Sequence, residues 1–381
     1  MYLGYSLYDT EAIENAAREM GLLKDVKEAD EKVPSLFGRL FSHQPEVLLD
    51  RLHSVILLLC FFITIIFPSI GFGNGAFYYT ANEGGSISKV DALSNTLIKS
   101  IKLEGVVHNA QISPNGDILG AVVIPKMASH EMKGEMAGAA LFFDTKTDQL
   151  IKKVTVGNHP AHIVYTQNGK YVLVTNNEDN TVSVIAAKTY KMIQTISTGK
   201  GPHGFRISKD SHYAYVANMG EDTVSVINLF DLKEERKIKA GKTPVTTGIT
   251  SDGKTLVVTL NAENALAIVD LATDKIEKIQ VGYGPAQVFI GPDDKFAFAA
   301  NQGTEARPSN SVSKIDLKAK SVVATIVVGK GAHGVVTDNN GKFIYVTNMF
   351  DNTVSVIDNS TNKVIATVPV GQTPNGITYR D

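Results

Sequence analysis

The stretch "FIYVTNMFDNTVSVIDNSTNKVIATVPVG" at residues 343–371 has two earlier counterparts in the chain: "YVLVTNNEDNTVSVIAAKTYKMIQTISTG" at 171–199 and "YAYVANMGEDTVSVINLFDLKEERKIKAG" at 213–241. Each contains strictly alternating runs such as "TVSVI", separated by turns rich in Asn, Asp and Gly. Alternation of this kind, broken by such turns, predicts antiparallel strands. With the apolar run that precedes each stretch, every unit holds four short strands in about 42 residues, which is typical of a β-propeller.

The number of units predicts the number of blades. Six complete units occupy 105–158, 159–201, 202–242, 243–284, 285–331 and 332–373. The remainder is "PNGITYRD" at the C-terminus, which supplies one strand, and the segment from Phe77 to Gly105, which supplies three. Joined, they make a seventh blade, and such a "Velcro" closure removes the two open sheet edges. The sequence therefore predicts an all-β, seven-bladed β-propeller.

The repeated phrase resembles the YVTN family of β-propellers. It stands as "YVTN" at Tyr345–Asn348, with the variants "YVAN" at 215–218 and "LVTN" at 173–176. The resemblance covers residues 77–381 and implies the propeller fold. It implies function less closely, since the family is similar to cell-surface proteins, binding platforms and relatives of the haem d1 domain of nitrite reductase.

The segment before the propeller divides into two predicted parts. Residues 1–52 are predicted to be a helical cytoplasmic segment, with one helix in "DTEAIENAAREMG" (9–21) and an amphipathic one in "PSLFGRLFSHQPEVLLDRL" (34–52). Residues 53–76 form a predicted signal peptide or membrane anchor, because 55–67 is one apolar, helical run containing a single polar residue. Basic residues precede this run and none follows before Lys89, so the propeller is expected outside the cytoplasm, periplasmic or at the cell surface.

Composition narrows the classes of partner. The formal net charge of −2 gives no basic excess of the kind that nucleic-acid binding requires. One cysteine, Cys60 in the apolar run, rules out a disulfide within the chain. The expected contacts are therefore with the membrane through residues 55–73, if that segment is retained, and with a protein or small ligand on the propeller.

Histidines recur where the innermost strand of a blade begins. Aligned on the turn glycines, His108, His203 and His333 take one shared position, and His162 is displaced by one residue. The loops between the second and third strands open on the same face of the ring, called here the upper face. They carry the remaining candidate ligands, which are Met219, Met349 and, in one lengthened loop, Met127, His130, Met132 and Met136.

These residue types favour a metal site. Imidazole and thioether are both good ligands for copper, particularly Cu(I), and a ring brings equivalent positions towards one axis. Haem, with one histidine as axial ligand, is the second prediction. Structural roles stay open beside both: histidines bonded to loop carbonyls, methionines packed between blades, and a solvated loop at 126–136.

No catalytic residues are predicted. The acidic residues in "NEDNT", "GEDT" and "FDNT" recur as turn caps, and no nucleophile motif is present. The first hypothesis is thus an extracytoplasmic binding or scaffold propeller with a copper site, leaning away from an enzyme. The alternatives are a haem d1-type or copper oxidoreductase, and a surface-layer or adhesive propeller without a cofactor.

Overall fold

The computed structural model describes residues 75–125 and 137–381. The predicted helices of residues 1–52, the apolar run at 55–73 and the loop carrying Met127, His130, Met132 and Met136 lie outside the described residues. Within the described part, no helix combines the length and apolar character needed to span a bilayer.

The described residues form 28 strands in seven four-stranded antiparallel sheets, the blades, plus one 3₁₀ turn at Asn261–Glu263. The strands of each blade are given from the inside outward. Blade 1 consists of β28 (Pro374–Arg380), β1 (Phe77–Asn82), β2 (Ser86–Asp91) and β3 (Thr96–Lys102), and blade 2 of β4 (Val106–Ile112), β5 (Ile118–Ile124), β6 (Ala137–Asp144) and β7 (Leu150–Asn158). Blade 3 consists of β8 (Pro160–Tyr165), β9 (Tyr171–Asn176), β10 (Thr181–Ala186) and β11 (Met192–Ser197).

Blade 4 consists of β12 (Pro202–Ile207), β13 (Tyr213–Asn218), β14 (Thr223–Asn228) and β15 (Lys233–Ile238). Blade 5 consists of β16 (Pro244–Ile249), β17 (Thr255–Leu260), β18 (Ala265–Asp270) and β19 (Lys275–Gln280). Blade 6 consists of β20 (Pro285–Ile290), β21 (Phe296–Gly303), β22 (Pro308–Asp316) and β23 (Ser321–Val327). Blade 7 consists of β24 (Ala332–Thr337), β25 (Phe343–Asn348), β26 (Thr353–Asp358) and β27 (Lys363–Pro369).

The ring is closed as predicted. The last strand, β28, pairs antiparallel with the first, β1, so that Tyr79 faces Thr378 and Phe77 faces Arg380. Each innermost strand also packs against the innermost strands of the two neighbouring blades, β28 against β4 included. The seven-bladed β-propeller predicted from the repeats is confirmed.

The hydrophobic core lies between blades rather than at one centre. Seven clusters of buried side chains each fill one interface between adjacent blades, including the interface of blades 7 and 1. Alternation within each middle strand supplies both interfaces: in β9, for example, Leu173 packs towards blade 4 and Val174 towards blade 2. The strict period of two seen in the sequence therefore serves two cores at once.

The asparagine of the YVTN phrase ties the second strand to the third. In blade 7 the Asn348 Nδ2 donates to Thr353 Oγ1 and to Ser355 Oγ, each at 2.9 Å. Asn82, Asn176, Asn218 and Asn301 make the same pair of bonds in their own blades. The threonine of the phrase instead joins blades, since Thr347 Oγ1 donates to Asn375 O at 2.9 Å.

Candidate metal centre

A β-bulge stands near the start of every innermost strand. In all seven blades the pairing between the first and second strands shifts by one residue there. In blade 4, for example, Pro202 pairs with Asn218 but Phe205 pairs with Val216, so His203 and Gly204 form the bulge. Bulges re-aim side chains locally, and here they do so seven times around one channel.

The bulges agree with the predicted alignment of the histidines. His108, His203 and His333 each lie two residues before the equivalent pair after the bulge, made by Ala110, Phe205 and Val335, whereas His162 lies one residue before its pair. The prediction that His108, His203 and His333 share one position, with His162 displaced by one residue, is therefore confirmed.

Every blade has a polar side chain in the bulge. Blades 4 and 7 have a histidine at the first position and a glycine at the second, blade 3 has Ala161 before His162, and blade 2 has His108 before Asn109. A Cβ on Gly204 would lie 2.4 Å from Thr246 Oγ1, so the second position has no room for a side chain there. From blade 1 to blade 7 the polar bulge residues are Asn375, His108 with Asn109, His162, His203, Thr246, Gln287 and His333.

Three of these histidines converge. His108, His162 and His203 come from the consecutive blades 2, 3 and 4, and each offers a ring nitrogen lying within 4.8 Å of the others. The Nε2 atoms of His108 and His203 are 3.2 Å apart. Two nitrogens bound to one tetrahedral ion lie about 3.3 Å apart, given metal–nitrogen bonds of about 2.0 Å, so this pair already has the spacing of two ligands.

The partners of the other ring nitrogens fix the tautomers of two members. His108 Nδ1 lies 3.0 Å from Glu83 Oε1, and His203 Nδ1 lies 3.2 Å from the backbone oxygen of Val245. A carboxylate and a carbonyl only accept, so both Nδ1 atoms carry the hydrogen. In the neutral rings both Nε2 atoms then present lone pairs to each other, an arrangement that a cation between them stabilises.

Among the residues that the structure describes, His162 has no hydrogen-bond partner at either ring nitrogen, although its side chain is 0 % exposed. Its ring centroid lies 4.9 Å from that of His203 and 6.2 Å from that of His108. A buried polar group without a partner costs about 1–3 kcal/mol. A metal ion shared with His108 and His203 would supply the missing interaction, with a contraction of the triad by about 1.5 Å at most.

Burial keeps these imidazoles neutral. Burial first, and then the proximity of His203 and His108, hold the pKa of His162 well below its usual range. Burial likewise lowers the pKa of His203 to about 3 and that of His333 to about 4. Metal ions bind the neutral imidazole, so no proton has to leave the rings of His162, His203 or His333 at pH 7.

Glu83 completes the surroundings of the triad, and sequence reasoning missed it. Burial raises the pKa of this carboxyl, but the hydrogen bond from His108 and a 2.7 Å bond from Asn375 Nδ2 outweigh burial and lower the pKa to about 2. A carboxylate behind a ligating histidine is the usual support of such a ligand. One signal was available: Glu83 follows the repeat asparagine, at the position that Met219 and Met349 take in their blades.

The other predicted site residues that the structure describes, His333, Met219 and Met349, are not members of the triad. His333, only 5 % exposed, directs Nδ1 towards Asn375 O and Gln287 Nε2, at 3.4 Å each. Met349 is buried and its sulfur accepts a bond from Gln302 Nε2 at 3.3 Å. Met219 lies half-buried in its turn.

Comparisons with known proteins agree with the fold. A YNCE-like beta-propeller family model matches residues 139–307 and 304–381, together more than half of the chain. The chain belongs to the YNCE-like beta-propeller family. A comparison with curated proteins found no match.

Solved structures share the architecture of this YNCE-like propeller. Hydrazine synthase of Kuenenia stuttgartiensis is 22% identical with a TM-score of 0.62, over 71% of this chain and 89% of that one. A "putative 6-phosphogluconolactonase" of Bacteroides fragilis NCTC 9343 is 16% identical with a TM-score of 0.63, over 82% of this chain and 99% of that one. At such identities the likeness extends to the fold alone.

Proposed function

We propose that this propeller binds one transition-metal ion through His108, His162 and His203, with copper as the first candidate and zinc as the second. The observation that carries the proposal is the fully buried ring of His162, which has no partner at either nitrogen within residues 75–125 and 137–381. A proton held between the Nε2 atoms of His108 and His203 would remove the lone-pair repulsion between those two rings only. A metal ion would bind all three rings. Imidazole suits both ions, and copper(II) binds a given nitrogen site more tightly than zinc.

A three-histidine set leaves a coordination position for an outside ligand. That position supports a role as a binding platform, in which a partner or small molecule approaching the channel donates a group to the ion. The segment 126–136, which lies outside the described residues, follows β5 and precedes β6 in the chain and carries Met127, Met132 and Met136. We assign it the delivery or capture of Cu(I), for which thioethers are good ligands.

The proposed location is extracytoplasmic. It is supported by the apolar run at 55–67 and by basic residues confined to its N-terminal side before Lys89. Copper handling is compatible with a compartment outside the cytoplasm, and the chain needs no disulfide there, since its fold is held by the blade interfaces.

Metal analysis of the full-length purified protein tests the site. We expect about one copper or zinc ion per chain after equilibration, and loss of that ion in His108→Ala, His162→Leu and His203→Ala. His212→Ala is the matched control, because His212 stacks on Tyr213 at the opposite face. Metal content unchanged in all three triad variants would refute the site.

The same sample separates the alternatives. A haem absorption spectrum would favour the oxidoreductase hypothesis, and neither metal nor haem would favour an adhesive propeller. Replacing Met127, Met132 and Met136 together by Leu should weaken Cu(I) binding at least about tenfold and leave Zn²⁺ binding unchanged, because thioethers contribute little to zinc.

A further inference from the structure

The opposite end of the channel holds a second candidate site. A cavity of about 470 Å³ lies where the innermost strands end, at the face called here the lower face, and an adjoining cavity of about 500 Å³ shares part of its wall. Volumes of this size are typical of small-molecule sites. Arg206 of β12 lines both cavities, and Arg380 of β28 lines the first.

Arg206 stands where no other blade has a charge. Strand register gives its equivalents as Gln111, Val164, Gly248, Phe289, Val336 and Thr378. All six are uncharged, and only Gln111 is a long polar side chain, so the repeat itself does not require a guanidinium. A valine, as in blades 3 and 7, would be enough to fill this position by packing.

The guanidinium of Arg206 is also poorly satisfied. Its one hydrogen bond to protein within the described residues runs from Nη1 to the backbone oxygen of Phe205, at 2.9 Å. No carboxylate in the described ranges, 75–125 and 137–381, lies within ion-pair distance of Arg206 or of Arg380. A guanidinium has five N–H donors, so most of those on Arg206 are available to a ligand. Burial lowers the pKa of Arg206 to about 10, which leaves the group charged at pH 7.

The rest of the lining combines aliphatic side chains, such as Ile112 and Val336, with polar and aromatic ones. Gln111, Gln167 and Asn339 present side-chain amides, while Phe289 and Tyr379 present rings. The carboxylate of Asp381 also lies on the wall, where it accepts hydrogen bonds from Asn339 and from the Tyr379 hydroxyl. Two guanidinium groups thus face one carboxylate that already has donors, which leaves the cavity electropositive.

We infer that this lower-face cavity binds a small polyhydroxylated anion, a sugar-sized molecule carrying a phosphate or carboxylate that Arg206 and Arg380 hold. Guanidinium groups form paired, charge-assisted bonds with both kinds of headgroup. The amides fit hydroxyl groups, and aromatic rings fit the apolar face of a sugar. The inference goes beyond the proposed metal centre and does not depend on it.

Calorimetric titration of the full-length protein tests the cavity with three probes: glucose 6-phosphate, gluconate and glucose. We expect at least one of the two anions to bind with a Kd below about 1 mM and glucose not to bind in that range. The tighter anion identifies the headgroup. Glucose binding as tightly as its phosphate, or no binding of either anion up to about 10 mM, would overturn the inference.

Arg206→Leu gives the sharper test, because its two effects have opposite signs. Anion affinity should fall at least about tenfold, whereas Tm should rise by a few degrees, since an unpaired, half-buried charge is replaced by an apolar side chain. Arg307→Gln is the control, removing a guanidinium that lies over the Tyr283 ring in the turn between β21 and β22. Unchanged anion affinity in Arg206→Leu, or a loss of Tm with no loss of affinity, would contradict the site. Metal content is measured on the same samples, so the two proposals fail separately.

Discussion

His162 shows at the scale of one residue how a site can oppose stability. In the metal-free protein, replacing it by Leu removes two buried nitrogens that have no partner in the described part of the chain, while keeping a side chain of similar volume. We expect His162→Leu to raise the unfolding free energy of the metal-free protein by about 1–3 kcal/mol. Urea denaturation measures this change.

The control for that prediction is His212→Leu, which removes a stacked ring from a half-buried turn. It should bring no gain in stability. If His162→Leu instead destabilises the metal-free protein as strongly as an ordinary core truncation, the ring is a packing element and the case for a ligand loses its main support.

The depressed histidine pKa values also set a direction for stability against pH. Burial lowers the pKa of His203 to about 3 and holds that of His162 well below normal, whereas in the unfolded chain both titrate near about 6.5. The unfolded state therefore binds more protons below that pH. The stability of the metal-free protein is complete above about pH 6.5 and declines as the pH falls towards 3.

Each such imidazole steepens the decline by up to about 1.4 kcal/mol per pH unit. Urea unfolding at pH 7.5, 6 and 5 should show this slope, and His203→Gln should reduce it by one histidine's share. Equal slopes in the wild type and the variant would show that His203 titrates normally in the folded protein.

At the scale of the strand, the repeat asparagine predicts a measurable cost. Asn348→Ala removes both bonds from Nδ2 and leaves the hydroxyls of Thr353 and Ser355 without that donor. Because these groups are buried or half-buried, the expected loss is about 1–3 kcal/mol of unfolding free energy. Asn340→Ala, at an exposed turn position, should change stability by less than about 0.5 kcal/mol. Similar losses in the two variants would contradict the structural role of the phrase.

The strands were the most predictable feature, and the bulges were the least. "TVSVI" and the turn residues around it fixed strands such as β26 because their period and turn chemistry are local properties. The bulge at His203 is not local: it depends on how β12 pairs with β13, and the sequence of β12 contains no mark of the extra residue. The histidines could therefore be aligned correctly between blades, while the bulge that directs their side chains was not predicted.

Contacts made across the ring could not be predicted either. Glu83 reaches His108 because blade 1 lies beside blade 2, and Asn375 reaches Glu83 because β28 closes blade 1. Nothing in a linear sequence ranks Glu83 above the other turn carboxylates. The same limit applies to Arg206, whose significance appears only when the seven equivalent positions are compared.

At the scale of the whole molecule, closure of the ring links the fold to the site. β28 supplies the innermost strand of blade 1, part of the cluster between blades 7 and 1, and Asn375, which donates to Glu83. Removing it opens β1 as an unpaired edge and exposes apolar surface on both sides. A chain ending at residue 373 should therefore unfold at a much lower temperature, aggregate through the open edge and bind no metal.

Two further chains separate closure from the local contact. A chain beginning at residue 75 retains all 28 strands and should keep the Tm of its propeller and its metal. Asn375→Ala keeps the ring closed but removes one donor to Glu83, so it should weaken metal binding about tenfold or less while leaving the fold intact. If the chain ending at 373 matched Asn375→Ala in Tm, pairing of β28 with β1 would contribute little, and the blade interfaces alone would hold the ring.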